Sequence, residues 1–399
     1  MAAQGGSGWS TLAMVPPGLE ALAAAELEAL GASQVQPLRR AVACRTDAAA
    51  YYRLHLQARL PFRLLRHLAR FPCASPDDLR HGVLAAADWD RWLPPDRSLR
   101  VEVSGRSPAF PHSHYTALAV KNALVDQQRQ QWGQRSSVDR DDPDLVLHLH
   151  LSAGEAVLAL DGSGTSLHRR GYRAAMGLAP LKENLAAGLI GFTGYDGRQP
   201  LLDPCCGSGT LLIEAAAMAL GRAPGLEADG APVPDHARGR SFGFHRWPDF
   251  DGRLWRLEVV AAAALARQTA ADGSPVPAII GRDLDPEVVA QAGANADRAG
   301  LAPWLDLQVG GLDDLQPPPG PGLVVCNPPY GHRLGDPDAL EALYAQLGQV
   351  LRERCGGWTL WLLSGQPKLT GALRLKASRR IPVSNGGIDC RWLRYELRP

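Results

Sequence analysis

The spacing of apolar and polar residues changes near residue 170 of the chain. Before that point, short helical and strand-like patterns alternate among many arginines and histidines. From about Ala174 a unit recurs, made of an apolar strand, a turn with Gly or Asp, and an Ala-rich helix. Because the strands are mostly apolar and helices separate most of them, we expect a parallel sheet covered on both faces. The predicted strands are 200–204, 278–285, 305–311, 322–329 and 359–365.

The end of the chain breaks this rhythm. Residues 377–384 and 388–397 have strand-like sequences, and the segment between them, Asn385 to Gly387, is a turn signature. The pattern therefore predicts an α/β fold in which an antiparallel pair of strands completes a parallel sheet.

Composition and charge narrow the class of protein. The 399 residues suffice for two or three domains, and the apolar (45%) and charged (21%) fractions are those of a soluble globular protein. The net charge of +1 does not favour a polyanionic partner, so a nucleic-acid site has to come from local basic clusters. No run approaches the about 18 apolar residues of a membrane span. Seven scattered cysteines indicate neither a disulfide framework nor a zinc site, so we expect a cytoplasmic protein without metal or membrane contact.

A glycine-rich turn follows the first predicted strand. Residues 203–210 (DPCCGSGT) connect that strand to an Ala-rich helix. Glycines at such a turn let the backbone approach a ligand closely, and the first turn of the helix offers free N–H groups. The spacing matches neither G-x-G-x-x-G nor a P-loop. The alternative is a tight turn that binds nothing.

Two carboxylates follow the second predicted strand. Asp283 can accept hydrogen bonds from both ribose hydroxyls of a nucleoside, as acidic residues do in other Rossmann-type sites. Asp285 precedes Pro286, the usual arrangement at the start of a helix. We therefore assign Asp283 to a ribose and Asp285 to a helix N-cap.

The sequence NPPYG (327–331) follows the fourth predicted strand. The Asn327 side-chain oxygen and the Pro328 carbonyl can together accept both hydrogens of a planar amine, and Tyr330 can stack on the attached ring. Two such acceptors would pull an aromatic amine toward tetrahedral geometry and make its nitrogen a better nucleophile. A proline-rich turn without function is the alternative, but a doubly wound sheet binds its ligands at these strand ends.

Taken in order, these three motifs resemble those of class I methyltransferases that modify exocyclic or amide nitrogens. The chain is more specifically similar to THUMP-containing RNA guanine-N2 methyltransferases, near the bacterial RlmL-type enzymes of 23S ribosomal RNA. The similar segments are PPGLEALAAAEL (16–27), LHRRGYR (167–173), GLAPLKENLAAGLI (177–190), FGFHRW (242–247) and LYAQLGQVL (343–351).

This resemblance implies a Rossmann-like seven-stranded sheet whose last strand is antiparallel, preceded by an α+β region. The implied domains are a ferredoxin-like region at 1–65, an RNA-binding THUMP domain at 66–170 and a methyltransferase domain at 171–399. The implied cofactor is S-adenosylmethionine, and we expect a monomer. The implied catalytic residues are Asn327, Pro328 and Tyr330.

The resemblance also assigns residues to the cofactor. Asp203, Gly207 and Gly209 would hold its methionine end, together with Cys205 of the same loop. Relatives also close over the methionine end with a segment equivalent to 180–184, which includes Leu181, although Lys182 and Glu183 are alternatively a helix-start ion pair. Relatives usually have an Asp after the third strand that contacts the adenine amine. Gly311 occupies that position here, so either Asp313 substitutes or the backbone alone makes the contact.

Two basic clusters are candidates for RNA contact. Arg59, Arg63, Arg66 and Arg70 would share one face of a helix that also carries a leucine stripe, although Pro61 weakens that register. A solvated helix face is the alternative. The second cluster lies at the predicted domain junction and comprises Arg169, Arg170 and Arg173.

Other functions remain open at this point. The same catalytic motif serves methyltransferases that act on adenine in DNA or on glutamine in proteins, and the wider THUMP group also modifies transfer RNA. A non-catalytic RNA-binding assembly factor is a further alternative. The N-terminal half favours RNA, and the intact motif residues favour an enzyme.

Overall fold

The computed structural model describes residues 8–173, 181–226, 242–271, 277–330 and 337–398. Pro180 and Gly331, which belong to two of the predicted site motifs, lie outside these ranges. The described chain forms two β-sheets, one of eight strands and one of seven. A single cluster of buried apolar residues runs through both. Among the described helices, none has the length and apolar character needed to span a bilayer.

The eight-stranded sheet belongs to the N-terminal part of the chain and has the order β2-β3-β1-β4-β8-β7-β5-β6. Its strands are β1 (Trp9–Met14), β2 (Ser33–Leu38), β3 (Ala41–Thr46), β4 (Arg63–Pro72), β5 (Ser98–Gly105), β6 (Ser137–Val138), β7 (Leu145–Ser152) and β8 (Glu155–Asp161). The accompanying helices are α1 (Glu20–Ala29), α2 (Ala48–Gln57), α3 (Pro76–Ala85), α4 (Trp89–Trp92) and α5 (Ser113–Trp132). Strand β4 pairs with β1 on one side and β8 on the other, so one sheet runs across the proposed boundary at 65/66.

The seven-stranded sheet follows with the order β11-β10-β9-β12-β13-β15-β14. Its strands are β9 (Leu201–Asp203), β10 (Ile279–Asp283), β11 (Leu305–Val309), β12 (Leu323–Cys326), β13 (Thr359–Ser364), β14 (Arg379–Asn385) and β15 (Ile388–Glu396). Its helices are α6 (Glu183–Thr193), α7 (Thr210–Ala219), α8 (Gly252–Ala271), α9 (Pro286–Arg298), α10 (Pro337–Arg354) and α11 (Pro367–Ala372).

Strands β9 to β13 pair in parallel, whereas β15 runs antiparallel to both β13 and β14. The predicted seven-stranded sheet with an antiparallel last strand is confirmed. The strands are somewhat shorter than predicted. The fourth ends at Cys326 because the two prolines that follow Asn327 have no N–H to continue the ladder.

The predicted helix carrying Arg59, Arg63, Arg66 and Arg70 is wrong. Helix α2 ends at Gln57, and the segment from Arg63 onward is strand β4. Pro61 disfavours helical geometry at the residue before it and cannot donate to a helix ladder. As a strand, the segment pairs its backbone N–H and C=O groups with β1 on one edge and with β8 on the other. This pairing outweighs the helical spacing of the leucines and arginines.

The side chains of Arg59 and Arg63 turn inward instead of toward an RNA surface. Arg59 donates to the carbonyl oxygens of Ala217 and Arg222 in the C-terminal half. Arg63 donates to the Asp161 carboxylate at 2.6 Å. Their role in RNA contact stays a prediction, and the structure shows that each guanidinium also binds groups within the protein.

Arg66 lies in an aromatic cluster that joins the two halves. Its guanidinium carbon is 3.8 Å from the ring centroid of Trp9, and an Nη atom donates to Asp249 at 2.6 Å. Asp249 belongs to segment 242–250, whose Phe244 stacks on Tyr52 of α2 at a centroid distance of 4.9 Å. The C-terminal half thus supplies part of the core of the N-terminal half, and the RNA contact of Arg66 stays a prediction.

Candidate active site

The loop after β9 is a tight turn that leaves a helix start open. Gly207 and Gly209 have φ angles of 52° and 79°, in the left-handed region that favours glycine. The Gly209 N–H donates to the Cys206 carbonyl at 2.9 Å, which closes the turn. Helix α7 begins at Thr210 without a side-chain cap. The N–H groups of Cys205, Cys206, Gly207 and Gly209 all donate to protein oxygens. The N–H groups offered to a ligand are therefore those of the first turn of α7, at the carboxyl end of the sheet.

Asp203 ends β9 beneath this loop and is only 1% exposed. One of its oxygens accepts from the Cys205 N–H at 3.1 Å. The pKa of this carboxyl is raised to about 8. Burial is the main cause, and the nearby charge of Asp283 contributes in the same direction. The group is thus neutral at pH 7 without a ligand, and a cationic group placed beside it would draw the proton away.

Asp283 ends the neighbouring strand, β10, and lies against the same loop. One carboxylate oxygen accepts from the Gly207 N–H at 3.0 Å, and the other accepts from the Asp285 N–H at 3.2 Å. Asp285 in turn accepts from the Glu287 N–H at 2.9 Å and caps α9, so the predicted N-cap is confirmed. The ribose role of Asp283 stays a prediction, and each of its oxygens has a lone pair left for a hydroxyl donor.

Sequence reasoning missed Leu284, which follows Asp283 directly. Its side chain is 76% exposed, although a large apolar residue at a strand end is more often buried. Gly311 lies across from it: a Cβ there would be 4.0 Å from Leu284 Cδ1. Leu284 and Gly311 lie on either side of an apolar face next to the Asp283 carboxylate. This face suits the flat ring of an adenine. An apolar residue after the acidic one was the available sequence signal.

Asp313, the predicted substitute for an adenine contact, lies in a short 3-10 helix (Leu312–Asp314) after β11. It is exposed, and it accepts a hydrogen bond from Gln346 Nε2 of α10 at 2.9 Å. Its assignment stays a prediction.

Asn327 follows β12, the strand next to β9 on the side away from β10. Its side-chain oxygen is buried and has no hydrogen-bond partner in the part of the chain that the structure describes. An unpaired buried acceptor costs about 1–3 kcal/mol of folding free energy. Such an atom at a ligand-binding edge of the sheet fits a donor that arrives with the substrate. An acceptor without a protein donor is what we expect if the amine of a substrate binds there.

Tyr330 closes the same motif and is 7% exposed. Its hydroxyl accepts from Asn385 Nδ2 at 2.8 Å and lies 3.6 Å from the Cys390 sulfur. Both partners belong to the β14–β15 hairpin, so the antiparallel end of the sheet fixes the tyrosine ring. The predicted stacking of Tyr330 on a base is untested.

Leu181 and Arg173 join the 203–210 loop to the segment before α6. Arg173 donates to the Leu181 carbonyl at 2.9 Å and to Thr210 Oγ1 at 2.8 Å. Its Nε also lies 3.5 Å from Glu183. The alternative ion pair between Lys182 and Glu183 is therefore wrong, because Glu183 pairs with Arg173. Arg173 positions the loop through these contacts, and its contact with RNA stays a prediction.

The junction arginines divide into buried and exposed members. Arg170 is buried, donates to the Leu167 carbonyl at 2.6 Å and lies 3.8 Å from Glu214. Its contact with RNA stays a prediction. Arg169 is the exposed member of this cluster and is open to RNA in the structure. Across the described ranges, no group of three or more His, Cys, Asp or Glu side chains is placed to hold a metal ion.

Three family models match consecutive parts of the chain. Residues 10–65 match the RlmL ferredoxin-like domain, and residues 73–161 match the THUMP domain. Residues 170–394, more than half of the chain, match the RMKL-like methyltransferase domain.

Individual proteins match over nearly the full length. A Synechocystis sp. protein named as an RNA methyltransferase is 43% identical over 385 residues, 96% of each chain. The ribosomal RNA large subunit methyltransferase K/L of Pseudomonas entomophila is 40% identical over 392 residues, which are 96% of this chain and 52% of that protein. The chain thus spans about half the length of its K/L relatives. Among solved structures, the methyltransferase SMU.472 in complex with SAH has a TM-score of 0.84 at 26% identity and covers 99% of this chain and 100% of its own.

Proposed function

The chain belongs to the RMKL-like methyltransferase family, and from this premise we propose that it methylates the exocyclic 2-amino group of a guanine in RNA. The methyl donor is S-adenosylmethionine, and 23S ribosomal RNA is the favoured substrate. The observation that carries the proposal is the buried oxygen of Asn327, which has no partner among the described residues, beside a loop suited to a nucleoside cofactor. We further propose that the protein acts as a cytoplasmic monomer and that its domains divide near residues 65 and 170.

The residues around the loop suit S-adenosylmethionine, which supplies a sulfonium-bound methyl group when bound. Asp283 would accept from its ribose hydroxyls, and Leu284 would cover its adenine. Asp203, buried and neutral without a ligand, would become a carboxylate beside the ammonium of its methionine end. Leu181 and the 203–210 loop would enclose that end and exclude water.

The motif after β12 would orient the target amine. The Asn327 oxygen and the Pro328 carbonyl each accept one amine hydrogen, which directs the nitrogen lone pair out of the plane of the ring. No strong general base is needed before attack, because the amine becomes acidic once it is methylated. The guanine has to leave its stack to reach this strand-end site, as in other enzymes that act on bases.

RNA is favoured over DNA and protein because the chain carries a THUMP domain and its relatives are named as RNA methyltransferases. Ribosomal RNA is favoured over transfer RNA by the names of the K/L relatives. These names describe the relatives, and for this chain they are grounds for the proposal.

The test is to incubate the full chain with methyl-labelled S-adenosylmethionine and four acceptors side by side. The acceptors are unmodified 23S ribosomal RNA, transfer RNA, genomic DNA and total protein. We expect label in ribosomal RNA alone. Label in transfer RNA would change the substrate but keep the chemistry, whereas label in DNA or protein alone would refute the proposal.

A further inference from the structure

A groove of about 660 Å³ lies beside the proposed base site, between α11 and one face of the β14–β15 hairpin. Its lining includes Ser364 and Gly365 at the end of β13, and Arg380 and Arg391 from the hairpin. A volume of this size is within the range of cavities that hold small organic ligands. Its lining contains none of the residues assigned above to the cofactor or to the target base.

The groove adjoins Tyr330 through two of its lining residues. Gly365 lines the groove, and a Cβ added to it would lie 3.4 Å from Cδ2 of the Tyr330 ring. Cys390 also lines the groove, and its sulfur lies 3.6 Å from the Tyr330 hydroxyl. A strand of RNA whose guanine reached Tyr330 would therefore have a neighbouring nucleotide at the mouth of this groove.

Arg380 and Arg391 give the groove its chemistry. Pro382 pairs with Arg391 and Arg380 pairs with Leu393, so both arginines lie on the same face of the hairpin. Each is exposed, and neither forms a salt bridge or a side-chain hydrogen bond within the described ranges. This differs from Arg59, Arg63 and Arg66, each of which donates to at least one protein group. Asp389 also lines the groove and offsets one of the two positive charges.

We propose that this groove binds the nucleotide adjacent to the target guanine, with its phosphate held by Arg380 and Arg391. Guanidinium groups bind phosphate oxygens in bidentate geometry, and phosphate contacts fix the register of a nucleic acid. The groove thus positions the single strand so that one particular base reaches Asn327. This inference rests on the proposed function, because it takes RNA as the substrate.

The test compares two double variants of the full chain. In Arg380→Gln/Arg391→Gln both groove cations are lost. The matched control, Arg374→Gln/Arg379→Gln, removes two nearby exposed charges that do not line the groove. Three quantities are measured for each: binding of 23S ribosomal RNA at several salt concentrations, the KM for that RNA, and the affinity for S-adenosylmethionine.

We expect the groove variant to raise the KM for RNA about tenfold, the change produced by losing about 1.4 kcal/mol of binding. The slope of log affinity against log salt should fall by roughly 0.7, since the two arginines hold one phosphate and each single-strand phosphate contact contributes about 0.7. Cofactor affinity should stay unchanged, and the control should differ from wild type by less than about twofold in KM with an unchanged salt slope.

The outcomes separate the two proposals. If wild-type protein methylates RNA but both double variants behave alike, the groove assignment is wrong. The same holds if RNA binding falls without a change in salt slope, since no phosphate contact is then lost. If wild-type protein binds RNA through the groove arginines but methylates none, the proposed function is wrong and the groove stands.

Discussion

Two groups of polar residues, each predicted from sequence to touch a ligand, lie in different surroundings. In the C-terminal half, Asp203, Asp283 and Asn327 lie at the ends of the adjacent strands β9, β10 and β12. In the N-terminal half, predicted RNA-contacting arginines turn inward to protein partners. Arg66, for example, binds Asp249, which is 183 residues away in the chain.

The two groups of residues differ because different features of the chain determine where their side chains lie. A residue just after a parallel strand is placed by the topology of the sheet, because the carboxyl ends of such strands meet at one edge. The direction of a charged side chain within a segment depends on whether that segment is a helix or a strand, since the two have different periods. A strand-end motif therefore locates a site more securely than the spacing of charges does.

The largest effect expected at the strand ends separates chemistry from cofactor binding. Asn327→Ala should lower turnover by roughly two to three powers of ten, because one preorganised acceptor for the amine is lost. Affinity for S-adenosylmethionine should stay within a few fold of wild type. Single-turnover rates and calorimetry measure the two quantities. An equal loss of cofactor binding would mean that Asn327 touches a different ligand.

Cofactor binding should respond next most strongly, at Asp283. Asp283→Ala should weaken S-adenosylmethionine binding about ten- to hundredfold, the cost of losing charge-assisted hydrogen bonds to the ribose. Asp285→Ala is the control, because it removes the cap of α9 and should cost about 1 kcal/mol of stability with little change in affinity. Calorimetry that gives the same affinity for Asp283→Ala and wild type would refute the ribose assignment.

The inward placement of Arg66 in the N-terminal half is tested by measuring the free energy of unfolding. Arg66→Met should lower the free energy of unfolding by about 2 kcal/mol, because it leaves the partly buried Asp249 without its partner. RNA affinity at a temperature where the variant is folded should stay within about twofold. Arg70→Met is the control: this residue pairs with Glu155 at the surface and is 64% exposed, so the loss should be below about 1 kcal/mol. A stable Arg66→Met protein with lost RNA affinity would instead assign this arginine to RNA.

A pH dependence of cofactor binding, caused by Asp203, is also expected. Its pKa of about 8 means that binding a cationic group beside it releases a proton below that pH. Affinity for S-adenosylmethionine should therefore rise with pH, by up to about tenfold per unit between pH 6 and 7.5. In Asp203→Asn this dependence should disappear, because the amide does not titrate. Equal slopes in the two proteins would place the cofactor's ammonium elsewhere.

Much of the C-terminal fold was predictable from sequence, and the reasons are local. Apolar runs bounded by turns marked five strands, and the Asn385–Gly387 turn marked the hairpin. The helix predicted around Arg63 failed because leucines and arginines at helical spacing also fit a strand with partners on both edges. That pairing to β1 and β8 depends on the whole sheet and is not visible in the segment itself.

Features of the site that were missed depend on tertiary structure. The exposure of Leu284 reflects the shape of the loops around it. Arg380 and Arg391 line a groove together with residues of α11, a helix that packs on α10 and β13, and no local pattern encodes this arrangement. The inward turn of Arg173 depends on Glu183 and Thr210, which only the folded chain brings to it.

The central claim is that the acceptors after β12 receive the 2-amino group of a guanine, and the methylated nucleoside tests it most directly. Ribosomal RNA labelled by the wild-type protein is digested to nucleosides and analysed by mass spectrometry. The expected product is N2-methylguanosine, and an RNA with inosine at the mapped position, which lacks the 2-amino group, should take up no label. N6-methyladenosine, a methyl group on a ring carbon, or methylation of the inosine-containing RNA would contradict the account.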